Sequence, residues 1–161
     1  MKARAGRNGT RATIADLGEK PGHLIRRAHQ ITAAIFESET GRYKVTPPQH
    51  VVMTALYTHP GVDQATLAAL VALDKVTVGL IVARLAGRGV IEREDSTVDR
   101  RARVLRLAPA GRRLLARMQA AVRRSQAQLL APLSPAQKKQ FFTILRRIVG
   151  MTPPHKDRRQ Q

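Results

Sequence analysis

The chain has 161 residues, no cysteine, and a formal net charge of +18 from 29 Lys and Arg against 11 Asp and Glu. That length predicts one domain with room for helical extensions, and the missing thiols exclude disulfides, thiol redox sensing and cysteine-ligated zinc. The charge points to a polyanionic partner rather than to a merely solubilised surface.

Aromatic residues make up only 3% of the chain and Trp is absent, which disfavours single-strand or RNA-loop binding, where stacking carries much of the energy. No apolar run approaches the roughly 18 residues of a membrane span, and Met1-Lys2-Ala3-Arg4 is not followed by a signal-like apolar stretch. No membrane contact and a cytoplasmic location are therefore expected.

In chain order, residues 1–20 read as a basic N-terminal arm, with Lys2, Arg4, Arg7 and Arg11 near its start. Such an arm lies in a minor groove, lies on phosphates, or is a solvated tail. Residues 21–45 hold a first long helix opened by Pro21 at a position where proline is favoured, with Leu24, Ala28, Ile31 and Ile35 on one face, and closed by Gly41. Thr46-Pro47-Pro48-Gln49 is a capping box for a second helix, which His59-Pro60-Gly61 ends.

Asp63 then caps a short apolar-periodic run with Leu67, Ala68 and Leu70. After a break at 71–73, Asp74 caps another, with Val78, Ile81, Val82 and Leu85 in helical register, and Gly87 and Gly89 stop it. Two helices joined so tightly make a helix-turn-helix. The runs 90–94 and 103–107 alternate apolar with charged residues, so each reads as a half-buried strand, and the polar tip between them makes a wing. Residues 46–108 are thus a winged helix-turn-helix. A long helix from Pro109 follows, with Leu114, Leu115, Met118, Val122 and Leu129 on one side and arginines on the other. Ser134 to Gln137 forms a capping box for the last helix, Gly150 ends it, and 151–161 read as a tail. The predicted fold class is mainly α with a small β wing. Helices at 21–45 and 109–150 carry apolar stripes that a small winged unit cannot cover, which predicts a homodimer matched to a pseudo-palindromic site on double-stranded DNA.

This order of elements resembles the MarR family of bacterial transcription regulators. The resemblance is carried by Leu67-Ala68 and Leu70, by Leu73 to Val78, by Arg84-Leu85 with Arg88 to Arg93, by Asp99-Arg100-Arg101, and by the run from Val104 to Gly111. It covers about residues 20 to 150 and implies a dimeric repressor released from DNA by a small ligand. One stretch departs from the pattern. The second helix-turn-helix helix is apolar at Val76, Gly79 and Leu80, where relatives often carry Ser or Arg.

Donors and acceptors read base edges, so Lys75 and Thr77 are the expected major-groove contacts, and Arg84 a phosphate contact. Val76 or Leu80 would meet thymine methyl groups. The resemblance places Arg101 in a minor groove with Asp99 supporting it, and Arg100 and Arg103 on phosphates. It also puts an effector crevice among the first, second and fifth helices. Arg26 or Arg27 would pair there with a carboxylate or phosphate, and His29, His50 and Tyr57, with His23, would bond a phenol or carbonyl. Charge and family together favour an anionic effector, an aromatic carboxylate or its coenzyme A thioester. The alternative is an effector-independent architectural or nonspecific DNA-binding protein.

No cofactor and no metal are expected, because His23 and His29 are off one helical face, as are Glu37 and Glu39. With no phosphate loop, nucleophile elbow or carboxylate pair in an apolar setting, no enzyme activity is expected.

Overall fold

A computed structural model describes residues 14–95 and 103–151. Its helices are α1 (Pro21–Thr40), α2 (Pro47–Thr58), α3 (Gln64–Val71), α4 (Lys75–Gly87), α5 (Pro109–Leu130) and α6 (Pro135–Ile148). Between α4 and α5 lie β1 (Ile91–Asp95) and β2 (Arg103–Leu107), paired antiparallel with Ile91 opposite Leu107 and Arg93 opposite Leu105. The mainly α architecture with a small wing is therefore observed.

Local chemistry sets the helix starts. The Gln49 side chain accepts from the Thr46 N–H at 3.0 Å within a reciprocal capping box, and Gln137 does the same for Ser134 at 2.8 Å. Asp63 accepts from the Thr66 N–H at 2.7 Å, and Asp74 from the Thr77 N–H at 2.8 Å. Between α3 and α4 the chain turns through 108°, within the usual range for a helix-turn-helix. The turn is made by Ala72 in the left-handed conformation, φ 52°.

The core lies under this unit. Leu56 and Met53 of α2, Leu67 of α3 and Val78, Val82 and Leu85 of α4 are at most 1% exposed. Leu105 and Leu107 close it from the ribbon, because alternate side chains of a strand face one side. The Gly61 N–H donates to the Leu105 carbonyl at 2.9 Å, and the Leu105 N–H donates to the Val62 carbonyl at 2.8 Å. The turn after α2 is thus stitched to the wing.

The N-terminus of α5 is wedged against the entry to β1. The Ala108 N–H donates to the Val90 carbonyl at 3.0 Å, and a Cβ on Gly111 would lie 2.2 Å from that same oxygen. Farther along, α1 packs beside α5, joined by an Arg124–Glu39 ion pair at 2.8 Å. Tyr43 donates its hydroxyl proton to the Arg117 carbonyl at 2.8 Å.

Three boundaries differ from expectation, the first being β1, which runs over 91–95 rather than 90–94. Ile14–Glu19, expected as the end of an arm, forms a 3-10 helix next to α1; residues 1–13 lie outside the described part. Gly87 is the last residue of α4 rather than its stop, and the left-handed exit falls at Gly89.

The outer helices keep apolar side chains in the open. Leu24, Ile25 and Ile31 of α1 are about half exposed, and no residue of α6 is buried.

Candidate DNA interface and ligand crevice

α4 presents a continuous outer face. Val76, Leu80 and Arg84 line up at intervals of one turn, all exposed, with Lys75 at the helix start. Thr77 is only partly exposed, and its hydroxyl proton goes to the Asp74 carboxylate at 2.6 Å, so a base would meet the oxygen lone pairs and methyl of Thr77 rather than a donor. That bond, followed by the Thr77 N–H, holds the Asp74 carboxyl below the ordinary carboxylate range. Asp63 is held down likewise, first by the Thr66 N–H. Both carboxylates at this face are therefore engaged in capping at neutral pH. Gln64, which the sequence gave no reason to single out, donates to the Lys75 carbonyl at 3.2 Å and pins the start of α3 to the start of α4.

Arg103 opens β2 and is exposed. Arg106 pairs with Glu94 across the ribbon at 2.8 Å. Asp99, Arg100 and Arg101 lie outside the described residues.

A cleft of about 680 Å³ opens between α2 and α5, within the usual size of small-molecule sites. His50, Thr54 and Tyr57 come from α2, and Arg112, Arg113 and Arg123 from α5; among the described residues no carboxylate lines it. His50 is half-buried edge-on against Phe36, ring centroids 5.7 Å apart, and burial pushes its pKa below the ordinary value. Arg112 already donates to the Leu107 carbonyl at 3.0 Å, which orients its guanidinium. The spacing of Arg112, Ala116, Gln119 and Arg123 puts them on one face of α5, the signal in the sequence that points to these arginines.

His50 and Tyr57 both line this cleft. Arg26, Arg27 and His29 do not line this cleft; they stand exposed on α1, with Arg26 lying 3.4 Å from the His23 ring nitrogen. Arg27 points away from the α1 face that packs on the chain through Phe36 and Thr40, whereas His29 shares that face but lies about two turns nearer the N-terminus, where α1 is exposed.

The MarR family model matches residues 45–102, from just before α2 to just before β2. Over 137 residues the chain is 30% identical to the HTH-type transcriptional repressor NicR of Pseudomonas putida, covering 85% of this chain and 87% of NicR. This chain belongs to the MarR family. Among solved MarR-like structures, Bordetella bronchiseptica BpsR, described as regulated in DNA binding by 6-hydroxynicotinic acid, superposes with a TM-score of 0.79. It is 29% identical, over 84% of this chain and 96% of BpsR. The repressor CouR, solved on a 23-mer DNA duplex, gives a TM-score of 0.80 at 27% identity, over 86% of this chain and 98% of CouR.

The chain is a MarR-family transcription regulator. Among the described residues no group of three His, Asp or Glu could hold a metal ion, and no single helix is long and apolar enough to cross a membrane.

Proposed function

We propose that the chain is a homodimeric repressor that binds a pseudo-palindromic operator and is released by an anionic aromatic effector. The effector would be an aromatic carboxylate or the aroyl end of its coenzyme A thioester. One observation carries this reading: the α2–α5 cleft combines three guanidiniums with Tyr57 and His50, with no carboxylate among the described residues that line it. Guanidinium forks suit a carboxylate, while the tyrosine and imidazole suit a phenol or carbonyl on a flat ring.

The coupling follows from what the cleft walls are attached to. α2 packs on α3, α4 and β2, and α5 begins two residues after β2. A ligand that spreads α2 from α5 moves the reading helix against the long helices. It lowers operator affinity only by its preference for the spread state, about tenfold for each 1.4 kcal/mol.

Apart from Val76 and Leu80 on α4, more than half of the exposed large apolar side chains described lie on α1 and α6, which supports pairing of these helices with a second copy. On the DNA side, Lys75 and Thr77 would approach base edges, while Arg84, Arg100 and Arg103 would meet phosphates. Arg101, braced by Asp99, would enter a minor groove.

Analytical ultracentrifugation combined with anisotropy titrations of labelled upstream DNA tests this. A dimer that prefers its upstream region by about 10³ over scrambled DNA supports it. A monomer, or equal affinity for both duplexes, refutes it.

A further inference from the structure

The outer face of α4 carries apolar side chains where hydrogen-bonding groups would normally read bases. Val76 is 74% exposed and Leu80 is 64% exposed, and Val76 is the most exposed large apolar residue described. Neither contributes to the core, and with Gly79 and Ala83 they make the middle of this face free of side-chain donors and acceptors. Lys75 stands at one end and Arg84 at the other. From α3, the Gln64 amide lies beside Gly79 and gives one N–H to the Lys75 carbonyl at 3.2 Å. Keeping two such side chains in water is unfavourable, so their bound state should cover them.

We propose that Val76 and Leu80 read thymine by packing against its 5-methyl group in the major groove. This rests on α4 being the helix that enters DNA. Thymine is the base whose major-groove edge carries an apolar group, so an apolar helix face can discriminate only through it. DNA is favoured over a second copy of the chain as the occupant because the patch lies between two cations on a chain of net charge +18.

Spacing sharpens the proposal. Val76 and Leu80 are four residues apart, a rise of about 6 Å along the helix, against about 3.4 Å per base pair. A helix lying along the groove therefore meets two thymines about two base pairs apart in each half-site.

The test starts by enriching tight sites from a random duplex pool with the full-length protein. Each thymine of the enriched half-site is then replaced by uracil, which removes the methyl group and keeps the pairing. Kd is measured at fixed salt for the wild type, Val76→Ala and Leu80→Ala. Both positions are exposed and alanine is a good helix former, so the variants fold. The expected loss is about fourfold per methyl group in the wild type, at two positions about two base pairs apart. Each alanine variant should lose sensitivity at one of them. Uracil duplexes that bind as tightly as thymine duplexes, with enrichment intact, overturn the methyl readout and leave DNA recognition by α4 standing. A pool that yields no enriched sequence overturns both. Alanine variants that weaken self-association with DNA absent show that a second copy covers the patch, and also overturn the proposal.

Discussion

Gly111 in the first turn of α5 decides how the long helices join the winged unit. A methyl group there would sit 2.2 Å from the Val90 carbonyl oxygen and 2.8 Å from Leu107 Cδ1, about 1.2 Å short of the 3.4 Å at which ordinary contact with the oxygen begins. The obstacle is backbone, and that carbonyl already accepts from the Ala108 N–H at 3.0 Å, so no rotamer change relieves it. Overpacking of this kind costs about 1–3 kcal/mol, and a rigid obstacle belongs at the upper end. Alanine recovers about 1 kcal/mol through its higher helix propensity. Gly111→Ala should therefore lose about 2 kcal/mol, a fall in Tm of about 4–8 °C for a chain of this length. Gly87→Ala is the control, because nothing lies within 4 Å of a Cβ there; it should hold or raise Tm. Thermal unfolding followed by circular dichroism at one fixed protein concentration reads both. A Gly111→Ala protein that melts at or above the wild type would refute the packing argument.

Three further outcomes are expected. Ala72 holds φ 52° in the turn between α3 and α4, so Ala72→Gly should remove about 1 kcal/mol of left-handed strain and raise Tm by a few degrees; unchanged or lower melting counts against strain at this turn. Burial holds His50 below its ordinary 6.5, so below that pH the unfolded chain binds a proton that the folded chain refuses; stability should fall as pH drops from 6.5, and His50→Gln should flatten that slope in urea titrations at stepped pH. Arg113→Ala and Arg123→Ala should each weaken binding of an aromatic carboxylate by about tenfold or more in calorimetry while leaving Tm close to the wild type, because both guanidiniums are exposed; unaltered affinity removes them from the site.

The helix starts were legible because caps are local. Asp63, Asp74, the Thr46–Gln49 pair and the Ser134–Gln137 pair each satisfy backbone N–H groups within a turn, and the helices begin beside them. The ribbon was legible from alternation at Arg103 to Leu107. What stayed hidden depends on residues distant in sequence. Gly111 looks like any helix glycine until Val90 is placed against it, and the bridge from Val62 to Leu105 joins segments more than forty residues apart. The cleft depends on the rotation of α5 about its axis, which brings Arg112, Arg113 and Arg123 to face His50 and Tyr57. A count of basic residues cannot supply that rotation, so the expectation from sequence falls on Arg26, Arg27 and His29 on α1 and not on the α5 arginines.

The central claim is that filling the α2–α5 cleft releases the winged unit from its operator. Anisotropy of labelled upstream DNA, titrated with a panel of aromatic carboxylates and their coenzyme A thioesters at constant salt, tests it most directly when run beside an Arg113→Ala, Arg123→Ala double variant. The account predicts that one compound releases the wild type while the double variant stays bound at the same concentration. Release of both proteins alike, or of neither by any compound, would contradict it.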